Sequence, residues 1–319
     1  MTDKERSKPG QYILKRIGQT ILIWFLIVVV NFFIFRIMPG DPRGSLISDH
    51  MPLEVRQAIA ARFGLDLPLF NQFVIYIVNI FRGDFGESFS HFGEDVLFTI
   101  FDAALVLSIA IGMVAGVIAA SRRGSKTDTG STVFFLVAYS IPVFWIGLLL
   151  ILFFGFYFDL IPIAGTITRG LRHANFLEYL VDYGWHMIAP TIVLTLSFIG
   201  GFYLIMRDSV LDVFTQDFML AAKAKGLKEK TILYKHAMRN AMLPMVSVIA
   251  TNIPYLISGA TITEFVFSWE GLGLLTYNAV LTNDYPVLQG LFLFLATITV
   301  LANFVADLLY LYLDPRIRY

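Results

Sequence analysis

The residues able to do chemistry in this chain of 319 residues are few and scattered. Five histidines, His50, His91, His173, His186 and His236, stand without ligand spacing and without an HExxH pair, so no metal centre is predicted. The chain has no cysteine, which excludes disulfides, thiolate ligands and a cysteine nucleophile. No G-x-S-x-G elbow marks a serine hydrolase. Gly124-Ser125-Lys126-Thr127 ends like a phosphate-binding loop, but such a loop needs Gly and Lys adjacent and a further glycine five residues upstream, where Ala119 stands. The chain is therefore expected to hold no cofactor and to bind no ATP itself. What stands out is the run from Arg207 to Pro244, basic and punctuated by AAKAKG and RNAMLP, between two long apolar stretches.

The surroundings of that run limit what it can be. Hydrophobic residues make up 57 % of the chain and charged ones 15 %, against roughly 45–50 % and 25 % in a soluble domain. Such a composition belongs to an integral membrane protein, with the lipid bilayer as a partner. The formal net charge is zero, which argues for no nucleic-acid partner. The basic N-terminal stretch leads into Ile17 to Met38, longer than the about 7–15 apolar residues of a signal peptide and without its small-residue cleavage site. It is predicted to be a retained first span.

A bilayer core of about 30 Å needs roughly 20 apolar helical residues. Residues 17–38, 97–120, 132–156, 188–206, 245–263 and 287–311 meet that length, predicting an all-α protein with six transmembrane helices. Lysine and arginine gather in 1–16, around Arg122, Arg123 and Lys126, in 207–244, and at Arg316 and Arg318 in the tail 312–319. The positive-inside rule puts these segments, and both termini, in the cytoplasm. The segment 39–96 carries more acids than arginines, and 264–286 has no lysine or arginine, as outer segments should. Gly64 and Pro68 divide the long first extracytoplasmic loop into two short amphipathic helices. Residues 158–187 read as loop plus a short helix.

Backbone polar groups in lipid must be satisfied internally, so polar interruptions mark protein-lined or wet surfaces. The fifth span concentrates Ser247, Thr251, Asn252, Pro254, Ser258 and Gly259. These residues either line a translocation path or make small-residue contacts to other helices. Gly112-x-x-x-Gly116 and Gly200-Gly201 suit close helix packing. Asp307, one turn from Asn303, lies near the cytoplasmic end of the last span, where a structural role outweighs proton relay. Arg36 is expected to snorkel to the outer interface.

Within the basic segment, Gln216 to Lys225 is short and helix-prone. Ala221, Ala222 and Ala224 give a low-profile surface beside Phe218 and Leu220, and Gly226 suits the C-cap. Small side chains allow a short helix to lie close in a groove while Phe218 and Leu220 anchor it. A second helix is predicted from about Glu229 to Met242, with Ile232, His236, Arg239 and Leu243 at helical spacing, ending at Leu243-Pro244 where the fifth span begins.

These residues resemble the EAA loop of ABC importer permeases, in which Glu-Ala-Ala, three residues and Gly lead through a spacer to Leu-Pro. Ala221, Ala222, Gly226, Leu243 and Pro244 match, whereas Leu220 replaces the Glu and the spacer is long. Both departures are similar to the dipeptide/oligopeptide (DppB/OppB-like) branch. Further blocks follow in that branch's order: RIMPGDP from Arg36, FGLDLP from Phe63, RGDFGESF from Arg82, SIPVFW from Ser140, VFSWEGLG from Val266, Asp284-Tyr285-Pro286, and LLYLYLDPRIR from Leu308.

The resemblance implies a type I ABC importer permease fold in the cytoplasmic membrane of a prokaryote. It implies pairing with a second, DppC/OppC-like permease, two ATP-binding subunits that hold ATP and Mg, and an extracytoplasmic substrate-binding protein. Asp217, Phe218, Leu220, Ala221, Ala222, Ala224, Gly226, Leu227, Arg239, Leu243 and Pro244 would then couple to the ATPase. Phe267, Ser268, Trp269, Glu270, Gly271, Asp284 and Tyr285 would dock the binding protein. Peptides are the default cargo of such permeases, with oligosaccharides, nickel chelates and glutathione as alternatives. A self-contained secondary transporter or channel would need charged relays deep in the bundle and no docking loop, the reverse of this sequence.

Overall fold

The computed structural model describes residues 9–37, 67–82, 100–252, 260–282 and 284–313. All regular elements among them are helices. In chain order they are α1 (Pro9–Ile37), α2 (Leu69–Arg82), α3 (Ile100–Ser121), α4 (Lys126–Ser140), α5 (Val143–Leu150, continued by the π-helical Ile151–Tyr157) and α6 (Phe176–Phe214). After α7 (Asp217–Ala224), the turns Glu229–Thr231 and Ile232–Ala237 lead into α8 (Met238–Asn252), followed by α9 (Thr261–Phe267), α10 (Leu272–Leu281) and α11 (Tyr285–Leu313).

Four of these are long and apolar enough to cross a membrane: Ile13–Arg36, Ala103–Ser121, Phe176–Phe214 and Val287–Val305. A fifth candidate is the pair α4 and α5, bent by 93°. The bend falls at Ile141-Pro142, inside the predicted third span. A residue before proline is pushed out of the helical region, and Ile141 has ψ 131°. Pro142, with no N–H to extend α4, instead caps α5 through its carbonyl, which accepts from Trp145 N at 2.9 Å. The predicted span at 245–263 continues α8 only to Asn252; 253–259 lie outside the described residues.

The chain forms two compact units. One comprises residues 1–97 and 272–304 with Tyr319. Here Asn31 Nδ2 donates to Tyr76 Oη at 2.8 Å and to the Gln289 carbonyl at 3.1 Å, tying α1 to α2 and α11. Phe32 is fully buried against Phe73 and Tyr76. Arg36 packs its guanidinium 5.3 Å over the Phe32 ring. Of the two outer helices predicted in 39–96, the second is α2, and the first lies outside the described residues.

The other unit comprises residues 98–271 and 305–318. Its axis is α6, 39 residues long and extending beyond the predicted 188–206 at both ends. The Asn175 side chain accepts from Glu178 N at 2.9 Å, and Glu178 reaches back to Ala174 N at 2.8 Å, so the first turn closes on itself. Helix α3 lies along α6 at glycines: a Cβ on Gly112 would meet the Ile199 carbonyl oxygen at 2.9 Å. Beside α3, Gly200 admits α4, since a Cβ there would stand 2.5 Å from the Phe135 carbonyl oxygen. The glycine pattern therefore sets helix separation, as its spacing predicts.

Candidate functional site

Helix α6 ends when the Thr215 hydroxyl bonds back to the Asp212 carbonyl at 2.6 Å, and Gln216 then opens α7. Asp217 sits in the first turn of α7 and Lys223 in the last, both favourable to the helix dipole. The inner side of α7 is Met219, fully buried, with Ala222 three residues on. Both join a core containing Val210 and Val213 of α6, Ala237 of the π-helical turn, and Ala241 and Met245 of α8. Burying a Met side chain contributes about 1.5–3 kcal/mol, so this contact holds the helix against its own chain.

Phe218, Leu220, Ala221, Ala224 and Leu227 are left outward. Leu220, standing where the resembled motif has Glu, is 61 % exposed. Lys225 and Gly226 close the helix by donating to the Ala221 and Lys223 carbonyls at 3.1 and 2.9 Å, and Gly226 takes φ +71°. A left-handed residue at this position is what a glycine allows without strain. A Cβ on Gly226 would meet nothing within 4 Å, so backbone conformation, not crowding within the chain, favours glycine here.

The predicted second helix does not stop at Leu243-Pro244; α8 runs through Pro244 to Asn252. Both Leu243 and Pro244 are exposed. Nor do Ile232, His236, Arg239 and Leu243 share a face. The π-helical turn Ile232–Ala237 adds a residue, and the buried line is Ile232, Ala237, Ala241 and Met245. Arg239 is exposed.

Above α7, Arg207 donates from Nε to Asp128 Oδ1 at 2.8 Å and from Nη2 to Oδ2 at 3.2 Å, while Nη1 reaches Asp208. Asp128 also accepts from Gly124 N at 2.9 Å. One turn back, the buried Tyr203 hydroxyl lies 2.9 Å from Ser131 Oγ and 2.8 Å from Thr132 Oγ1, and its ring stacks on Phe135 at 4.5 Å.

Of the expected path residues, Asn252 is half-buried and donates to the Val248 carbonyl at 2.7 Å. Ser247 and Thr251 are on α8; Pro254, Ser258 and Gly259 lie outside the described residues. Among the expected docking residues, Phe267 and Trp269 are each 2 % exposed and belong to the core, which leaves Ser268 and Glu270 at the surface. Alternation around the left-handed Ser268, φ 48°, turns both rings inward. Asp284 caps α11, its Oδ1 accepting from Val287 N at 3.3 Å.

Three buried or partly buried acids carry no signal in the sequence. Glu264 is 2 % exposed, with Oε1 accepting from Ala260 N at 2.9 Å and its carbonyl accepting from Trp269 N at 2.8 Å. Asp182 accepts from Thr168 N, Thr168 Oγ1 and His173 Nε2, at 2.8, 2.7 and 3.0 Å, and His186 Nδ1 lies 3.5 Å away. Asp128 is the third. Nothing local marks them, because their partners are remote or their segment reads as outer loop.

Residues 112–319 match the family described as Binding-protein-dependent transport system inner membrane component. Residues 10–108 match Binding-prot-dependent transport system membrane comp, N-term. The chain belongs to this family of ABC importer permeases and is a multi-pass integral membrane protein. It is 34 % identical to the Di/tripeptide transport system permease protein DppB of Pseudomonas aeruginosa, covering 97 % of this chain and 98 % of the relative. The Dipeptide transport system permease protein DppB of Escherichia coli is 33 % identical, and the Oligopeptide transport system permease protein AppB of Bacillus subtilis 32 %; each match covers 97 % of this chain and 99 % of the relative. Its branch is the dipeptide/oligopeptide one that its motifs resemble.

Proposed function

We propose that this chain is one of two membrane-spanning permease subunits of an ATP-driven, binding-protein-dependent importer of di- and oligopeptides. It has six spans with both termini in the cytoplasm and pairs with a DppC/OppC-like permease. Two ATP-binding subunits supply ATP and Mg, and an extracytoplasmic binding protein delivers cargo. Peptides are favoured as cargo because the near-full-length relatives carry di/tripeptide, dipeptide and oligopeptide names.

The observation that carries the coupling role is the two-sidedness of α7. Met219 and Ala222 hold it to its own chain, while Phe218, Leu220, Ala221 and Leu227 offer an apolar face with small residues beside it. A face of that kind in a basic cytoplasmic loop suits insertion into a groove of an ATPase. ATP closure would move α7 and shift the spans between inward- and outward-facing states, a two-state element biased from two sites. Ser247, Thr251, Asn252, Pro254, Ser258 and Gly259 would line half of the path, and Ser268 and Glu270 would meet the binding protein.

The test is Gly226→Trp in the chain expressed with its partners. Membrane insertion should persist while uptake and transport-stimulated ATP hydrolysis are lost; normal uptake would refute the coupling role. Co-purification with two ATPases separates an importer from a self-contained transporter, which would carry flux alone in liposomes.

A further inference from the structure

Arg207 stands on α6 two turns before its end, and the carboxylate that it grips belongs to the first turn of α4, 79 positions earlier. The contact uses both carboxylate oxygens and is largely withdrawn from water, with side chains 20 % and 6 % exposed. An arginine engaging both oxygens adds directional constraint that a point charge lacks. Tyr203 repeats the grip one turn away, with its ring on Phe135 and its hydroxyl between Ser131 and Thr132. Gly200, a further turn back in sequence, lets the α4 backbone touch α6. Three successive contacts thus fasten α4 to α6 along one face.

The same stretch of α6 meets α7. Val210 and Val213 pack in one core with Met219 and Ala222, and α6 continues unbroken from there to Arg207. A displacement of α7 is carried into α6 by close-packed side chains, which have few alternative arrangements. At the far end of α4 lies the 93° bend into α5.

We infer that the Asp128–Arg207 pair, backed by Tyr203, is a positioning contact that passes ATP-driven motion of α7 into α4. This rests on the coupling role of α7. Arg207 and Asp128 touch no cargo; they hold α4 in register with the helix that the ATPase moves.

The experiment uses the complete complex in liposomes, with its binding protein and tri-alanine as probe, and reads tri-alanine imported per ATP hydrolysed. Asp128→Asn and Arg207→Gln should each assemble and lower that ratio at least about fivefold. The double variant should be no worse than the poorer single one, because both remove one interaction. Arg207→Lys, which keeps the charge without engaging both oxygens, should fall between and serves if Arg207→Gln fails to assemble. An unchanged ratio in the assembled variants, even with lowered thermal stability, would overturn the inference, as would losses that multiply in the double variant. Gly226→Trp run alongside separates the two levels. If it imports normally, the coupling role of α7 and the inference both fail; if it is inactive while Asp128→Asn imports normally per ATP, only the inference fails.

Discussion

A Cβ on Gly116 would stand 2.7 Å from the carbonyl oxygen of Tyr203, the residue whose ring and hydroxyl also hold α4 against α6. The backbone of α3 therefore sits against α6 with no room for a side chain.

Gly116→Ala must push α3 and α6 apart, because the obstacle is backbone. The expected destabilisation is about 1–3 kcal/mol, read as a lower midpoint in thermal unfolding of the solubilised complex. Gly184→Ala, on the same α6 but with nothing within 4 Å of its Cβ, should cost nothing measurable. Equal effects at both positions would contradict the packing.

At Gly226 the requirement is conformational. Asn tolerates the left-handed region better than β-branched residues. Gly226→Asn should retain more uptake than Gly226→Val; equal loss would show that the ATPase needs the missing side chain itself.

The two sides of α7 should respond to different assays. Met219→Ala removes a fully buried side chain and should cost about 2–5 kcal/mol of stability. Leu220→Ala, at a site 61 % exposed in this chain, should leave folding intact and weaken retention of the ATPase on a pull-down. The opposite pattern would reverse the assignment of faces.

Glu264 shapes the turn that carries Ser268 and Glu270. A Cβ on Gly271 would lie 2.6 Å from Glu264 Oε2, so Gly271→Ala should displace the carboxylate and the turn. The measured consequence is weaker binding of the substrate-binding protein by surface plasmon resonance; unaltered binding would detach this turn from docking.

Asp182 gathers donors from Thr168 and His173 onto α6. Asp182→Ala removes their acceptor, and because Thr168 is exposed and can turn to water the cost is about 0.5–1.5 kcal/mol. Limited proteolysis should then cut faster between Ala164 and Ala174 than in the parent chain, and an unchanged rate would show that Asp182 does not hold this segment.

Much of the architecture was legible in order and composition. The apolar runs lie where α1, α3, α6 and α11 form, and Gly112, Gly116 and Gly200 signalled the close approaches that the helices make. The bend at Ile141-Pro142 is not legible although the dipeptide is plain, since a proline in an apolar run is compatible with both a kinked span and a broken one. The π turn at Ile232–Ala237 was not legible, because its extra residue is recognised only from which side chains end up buried.

The coupling segment divides the same way. Its alanines, Gly226 and the blocks along the chain determined the family from sequence alone, because motif order and composition are local properties. Tertiary structure alone decided that Met219 faces in while Leu220 faces out, that Trp269 is core instead of surface, and that Asp128 meets Arg207. Those outcomes depend on which distant segments pack together, and neighbours in sequence do not specify that.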